Sequence, residues 1–162
     1  AVFAERVGLG QDERIVMLTP IGIPAAEKHL ISRISSKSAN SSTRKAWEEL
    51  FFDEDFSTPL SKEKAGAYAP VLEMVRLAPS AVNSQPWRVI RSERRYHFFA
   101  AATNYLTLRK EGFLRYNDMG IAMAHFELAC REVRLEGNWV VDKQAEPLAP
   151  DCEYIQSWKE GK

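Results

Sequence analysis

Ser80, Asn83 and Gln85 are the residues whose types and spacing could do chemistry, set in the stretch Leu77-Ala78-Pro79-Ser80-Ala81-Val82-Asn83-Ser84-Gln85-Pro86-Trp87. Pro79 pushes Ala78 out of helical dihedrals, so the apolar run Val71-Leu72-Glu73-Met74-Val75-Arg76-Leu77 must stop there. Beyond Pro86, Trp87-Arg88-Val89-Ile90-Arg91 reads as a strand. The polar residues therefore sit on a tight helix-to-strand corner, where backbone N–H groups used by neither element are open to a ligand. Their side chains are neutral donors and acceptors, without a strong acid, base or nucleophile. Such a set suits holding a planar heterocycle with several carbonyls and ring nitrogens, and does not suit hydrolysis.

The elements that must position this corner follow from periodicity. Ser61 to Leu77 is helical in propensity, with Pro70 allowing a kink or restart. Trp87–Ser92 and Tyr96–Ala101 pair as a hairpin around Glu93-Arg94. Met119, Ala122, Met123, Phe126, Ala129, Cys130 and Val133 form the apolar stripe of a helix that Asn117 or Asp118 can cap, with Glu127 and Arg131 as an i,i+4 pair. His125 lies beside Ile121 and Leu128 and reads as a packing histidine. Phe3 to Val7 reads as a helix end closed by Gly8 and Gly10, Arg14 to Ile21 as a strand ended by Gly22 and Pro24, and Thr103 to Asn117 as a long loop. Asn138–Asp142 and Cys152–Trp158 read as final strands. The fold class is α+β, a mostly antiparallel sheet with helices on its faces.

Composition removes several function classes. The chain has 162 residues, 45% hydrophobic and 27% charged, which is ordinary for a globular domain. Its 22 basic and 22 acidic residues leave no global field toward nucleic acid or a membrane surface. Arg88, Arg91, Arg94 and Arg95 cluster on the hairpin and read as a solvated sheet edge rather than a nucleic-acid contact. No apolar stretch approaches the roughly 20 residues of a membrane helix, and no signal peptide is visible, so a cytoplasmic location is expected. Cys130 and Cys152 read as two reduced thiols, and His29, His97 and His125 lack metal-ligand spacing.

The charges are locally segregated. Lys28, Arg33, Lys37, Arg44 and Lys45 fall in a serine-rich stretch without an acid, and Glu48, Glu49, Asp53, Glu54 and Asp55 follow without a base. The first stretch reads as a mobile linker. Trp47, Leu50, Phe51, Phe52 and Phe56 then supply a large apolar area that reads as a clamp onto a neighbouring surface.

Arg76 to Trp87 resembles the flavin-contacting helix-to-strand segment of the FMN-dependent nitroreductase superfamily. Asp118-Met119-Gly120-Ile121-Ala122-Met123-Ala124-His125-Phe126-Glu127-Leu128-Ala129-Cys130 is similar to that family's central helix. Val16-Met17-Leu18-Thr19-Pro20-Ile21-Gly22-Ile23-Pro24-Ala25-Ala26-Glu27-Lys28 is similar to a strand that ends in Gly-aromatic-Pro, with Ile23 in place of the aromatic. Here that strand precedes the corner instead of following it. The order resembles a divergent branch in which one chain carries two half-domains. On this resemblance residues 1–24 end a first half, 25–60 form a linker and docking segment, and 61–162 form the second half. The family's opening helix, with its Arg-x-Ser-x-Arg-like phosphate grip, has no counterpart before Ala1, so the chain reads as starting inside a longer polypeptide.

The resemblance implies an oxidoreductase in which FMN takes hydride from NAD(P)H and passes electrons to a small-molecule acceptor, commonly a nitroaromatic or quinone. It assigns Ser80 and Asn83 to the ring edge, Pro79 and Ala81 to packing on it, and Gln85 to bracing the corner. Arg44, with Lys45 second, stands where the family places a phosphate-binding arginine; a guanidinium fork matches phosphate, while the other reading of these two is a solvated linker. It also implies a homodimer, for which Gly120, Ala122 and Ala124 permit close helix approach. The alternatives are a non-catalytic flavin-holding or interaction module, and a related flavoenzyme with another chemistry.

Overall fold

Chain contacts divide the protein into two units, Ala1–Arg33 and Ile34–Lys162. The computed structural model describes residues 5–13, 15, 21–23, 42–102, 113–145 and 152–161. In the first unit Glu5 and Arg6 are helical, and Gly8 closes the turn at φ +66° with its N–H 3.2 Å from the Glu5 carbonyl. Of the expected strand over 14–21 only the half-buried Ile15 and the exposed Ile21 are described, neither of them in a strand, and the part of the expected linker and docking segment over 25–41 lies outside the described residues.

The second unit is built on one six-stranded sheet. Its strands are β1 (Phe51–Asp53), β2 (Asp55–Pro59), β3 (Trp87–Ser92), β4 (Arg95–Ala101), β5 (Gly137–Val140) and β6 (Cys152–Glu160), in the order β2-β1-β3-β4-β6-β5. All neighbours are antiparallel except β1 and β3. The parallel pair follows from the chain between them. Helices α1 (Lys62–Ala65) and α2 (Ala69–Leu77), joined by a 3-10 turn, carry the chain back to the starting edge so that β3 can run beside β1 in the same direction. Ser61 caps α1 by accepting the Lys64 N–H at 3.1 Å, and Pro70 sits in the first turn of α2, where no intrahelical N–H is lost.

Helix α3 (Phe113–Glu132) begins earlier than the sequence implies. Asn117 and Asp118 therefore lie inside it rather than at its cap, and the end of the expected long loop is helical. The stripe is as expected at Met119, Ala122, Phe126 and Cys130, which are buried, while Val133 is exposed. Burial pushes the Cys130 thiol up to about 12, so it behaves as a small apolar group.

The helices and the sheet meet in one aromatic cluster. Phe126 has ring partners on four elements: Tyr68 at 5.9 Å, Tyr96 at 5.5 Å, Phe98 at 5.3 Å, Trp139 at 5.9 Å and Trp158 at 5.6 Å. Trp47, Leu50 and Phe51 belong to the same core. They are not a clamp for a neighbour, because β1 places them inside the sheet that carries the second half. The opposite sheet face holds a smaller cluster of Ile90 and Phe99 with Phe52, Phe56 and Tyr154. Among the described residues, helical side chains join only the first cluster, so the helices lie on one face.

The hairpin arginines are not a solvated edge either, since β3 and β4 are internal strands. Arg91 and Lys64 pair with the buried Asp53, Arg94 with Glu160, and Arg95 with Asp142. On the smaller face the buried His97 ring lies 2.7 Å from the Ser157 hydroxyl through Nδ1, and that hydroxyl is 2.8 Å from the Tyr154 hydroxyl.

Two outcomes test this packing. Phe126→Ala removes the shared ring and is expected to destabilise the fold by about 3–5 kcal/mol, read as a shift in urea midpoint at unchanged slope. His97 is held below its ordinary value of 6.5 by burial, with Asp142 and Glu54 opposing and Arg95 assisting. The unfolded chain therefore binds the proton more tightly than the folded one, and stability is lost as the pH falls from the ordinary value toward the lowered one. His97→Gln is expected to flatten the drop in urea midpoint between about pH 7.5 and about pH 5.

Candidate functional site

The corner is organised around Gln85, which is 3% exposed and has every polar group engaged. Its N–H donates to the Ser80 hydroxyl at 2.9 Å, and its carbonyl accepts from Arg88 Nη1 at 3.2 Å. Its Oε1 accepts the Lys45 N–H at 2.8 Å, and its Nε2 donates to Asn83 Oδ1 at 3.2 Å. The buried amide thus pins the incoming segment 43–45 to the corner between α2 and β3.

The backbone around it is bent into left-handed dihedrals. Val82, Asn83 and Gln85 have φ of 47°, 55° and 47°, with a short 3-10 turn over Ala81–Asn83. For a β-branched valine this costs on the order of 1–3 kcal/mol, and such strain gathers where a loop must present a fixed shape. The α2 stop is as expected: Ala78 takes φ −55° and ψ 143° before Pro79.

Asp118 holds the corner from the other side. Its buried carboxylate accepts the Ala81 N–H at 3.0 Å and the Ser84 hydroxyl at 3.3 Å, which ties the corner to α3. Sequence reasoning assigned this residue to a helix cap. A short acid in an apolar stripe was the available signal that it serves a tertiary partner.

The structure brings the expected site residues together. Pro79 is exposed, Ser80, Ala81 and Asn83 are half-buried, and Arg44 and Lys45 lie against them. Asn83 Nδ2 donates to the Thr43 carbonyl at 3.1 Å. The Arg44 fork is engaged at the C-terminal end of α2: Nε and Nη2 each donate to the Leu77 carbonyl at 3.3 Å, and Nη1 to Asn83 Oδ1 at 3.4 Å. That carbonyl lies at the negative end of the helix, where a guanidinium is stabilised. Lys45 is half-buried, and its ammonium is held below the usual range by burial first and then by the charge of Arg88, with Glu49 opposing.

Arg88 was missed as a site residue. It follows Trp87 directly, so its backbone is fixed by the β3 ladder while its side chain turns back to the corner, donating to the Trp87 carbonyl at 2.7 Å as well as to Gln85. Burial lowers its pKa, with Cys152 and Glu49 opposing. No group of three or more potential metal ligands exists among the described residues. Among them, too, no helix is long and apolar enough to cross a membrane.

The described domain is α+β and antiparallel-rich, with an amide-braced, cation-flanked corner between helix and strand. The chain belongs to the family described as "Putative TM nitroreductase", which matches residues 4–130. It is also similar to a crystal structure described as a "putative nitroreductase" from Thermotoga maritima, at 20% identity and a TM-score of 0.49. That likeness covers 72% of this chain and 42% of the other, so the chain spans less than half of that protein's length. No curated protein matches the chain.

Asp118→Ala leaves the Ala81 N–H and the Ser84 hydroxyl without this acceptor. It is expected to cost about 1–3 kcal/mol and to raise amide exchange at Ala81 to Ser84 before the core, read by hydrogen exchange.

Proposed function

We propose that this chain forms the flavin-holding part of an FMN-dependent oxidoreductase of nitroreductase type. FMN, when bound, would supply the transfer of electrons from NAD(P)H to a nitroaromatic or quinone-like acceptor. The observation that carries the reading is the corner from Pro79 to Gln85, held by Gln85 and Asp118 in a chain of this family.

The donor set fits a flavin. Hydroxyl and amide groups at Ser80 and Asn83 match the neutral carbonyl and ring-nitrogen edge of an isoalloxazine, and Pro79, Ala81 and the 49%-exposed Val82 offer apolar area for its face. Gln85 orients both polar side chains from beneath. Cations at Arg44 and Lys45 mark the side on which a phosphate would be neutralised. Ser80, Asn83 and Gln85 are neutral donors and acceptors, so in this reading the protein's contribution is to bind, to orient and to keep water from the ring. The same reading includes a homodimer, for which α3 exposes Gly120 and Ala124, while Ala122, expected with them, is instead buried in the core of the chain itself, and a cytoplasmic location.

The test is the visible absorption spectrum of the protein after FMN is added and the excess removed. Flavin bands that persist and bleach on addition of NAD(P)H are expected, and Ser80→Ala with Asn83→Ala is expected to weaken FMN binding by about 1–3 kcal/mol per lost buried partner. Flavin that persists without bleaching would favour a flavin-holding module without turnover. A colourless protein would overturn the flavin reading.

A further inference from the structure

Tyr154 and Ser157 stand at i and i+3 on β6, a spacing that puts side chains on opposite faces of a regular strand. They share a face here because β6 carries a bulge. Phe98 is opposite Gln156 and Phe99 opposite Tyr154, so Ile155 is the extra residue, and Tyr154 joins Ser157 and His97 on the face of the smaller cluster. The bulge completes a chain of hydrogen bonds. His97 Nδ1 lies 2.7 Å from the Ser157 hydroxyl, that hydroxyl lies 2.8 Å from the Tyr154 hydroxyl, and the Tyr154 oxygen accepts the Asp142 N–H at 2.8 Å. Asp142 opens the turn 142–145, its carbonyl accepting the Ala145 N–H and its carboxylate the Gln144 N–H. Ala145, 1% exposed, packs that turn against Ile90 and Phe99.

The chain of bonds has two senses, and the protonation of His97 selects between them. With the ring neutral, Tyr154 donates to Ser157 and Ser157 donates to Nδ1, so both hydroxyl protons have a close acceptor and the ring proton is on Nε2. With the ring protonated, Nδ1 donates to Ser157, Ser157 turns to Tyr154, and the Tyr154 proton is left with the Val140 carbonyl at 3.5 Å. The Tyr154 oxygen then accepts twice while donating poorly, which makes it a weaker acceptor for the Asp142 N–H. Arg95 on the same strand, Glu93 in the hairpin turn and Asp142 line with His97 a cavity of about 170 Å³, which gives a proton a way to a ring only 4% exposed. Ser92 lines it too and donates to Glu54 at 2.6 Å, while Arg95 lies 3.6 Å from Glu93 and 3.4 Å from Asp142. Burial favours the neutral ring, with Asp142 and Glu54 opposing and Arg95 assisting.

We propose that His97, Ser157 and Tyr154 form a pH-sensitive latch on the turn 142–145: the neutral ring fastens the turn over the smaller sheet face, and the protonated ring loosens it. The latch holds whether or not the corner takes flavin.

The experiment is nitrogen NMR of the His97 ring together with amide exchange, read as protection factors at about pH 7.5 and about pH 5, on the parent protein, Ser157→Ala and Tyr154→Phe. Ser157→Ala leaves the Tyr154 oxygen for Asp142 but cuts the chain of bonds, and Tyr154→Phe keeps the ring that packs on Phe99. In the parent, the neutral ring is expected to carry its proton on Nε2, and the Asp142 amide to lose about tenfold more protection at the lower pH than the Phe98 amide of the core. In Ser157→Ala that extra loss is expected to vanish. Tyr154→Phe is expected to show the loosened turn at both pH values, which keeps the latch testable should Ser157→Ala fail to fold. A neutral ring protonated on Nδ1, a loss of protection equal in turn and core, an extra loss that persists in Ser157→Ala, or a turn as well protected in Tyr154→Phe as in the parent would each overturn it.

Discussion

The buried amide of Gln85 is the interaction on which the rest of the site depends. It is the one side chain that touches the incoming segment 43–45, the turn at Asn83 and, through its own backbone, both Ser80 and Arg88. A buried primary amide has two donors and one oxygen acceptor, and leaving any of them unmatched costs as much as the bond itself. The three pieces are therefore tied: none can shift without stranding part of Gln85. The left-handed turn at Val82 and Asn83 is tolerable because that network over-determines it.

The corner is only as rigid as what stands behind it. Phe126 joins α3 to β4, β5 and β6 and to the turn before α2 through its five ring contacts, and Asp118, two turns earlier on the same helix, grips the corner. One helix thus carries both the packing hub and the polar clasp. Aromatic pairs contribute about 0.5–1.5 kcal/mol each beyond the area they bury, so the hub fixes the helix that carries the clasp. This division places the chemistry on a loop and its precision on secondary structure.

Electrostatics sorts the hairpin arginines by partner. Arg91, Arg94 and Arg95 find carboxylates contributed by other segments, namely Asp53, Glu160 and Asp142. Arg88 points to the corner, where the backbone carbonyls of Gln85 and Trp87 accept from it instead. Four residues of one type on one hairpin thus have different environments, decided by which strand lies beside each.

The sequence by itself determined the local elements and the limits of the corner. Pro79 and Pro86 set the corner's limits, the 3.6-residue stripe set the buried face of α3, and the resemblance of residues 76–87 named the family that the chain proved to belong to. Those signals are local, so they survive without knowledge of the fold. Tertiary structure decided everything that depends on partners distant in sequence. It turned Trp47, Leu50 and Phe51 from a clamp into core, because β1 runs parallel to β3 across an intervening helical crossover. It moved Asp118 from a cap to a clasp, because α3 starts a turn earlier and passes the corner. It bound the Arg44 fork to a helix end and turned the Arg88 guanidinium onto the Gln85 and Trp87 carbonyls, since the direction a cation takes is fixed by the nearest acceptors in space, which no spacing along the chain records.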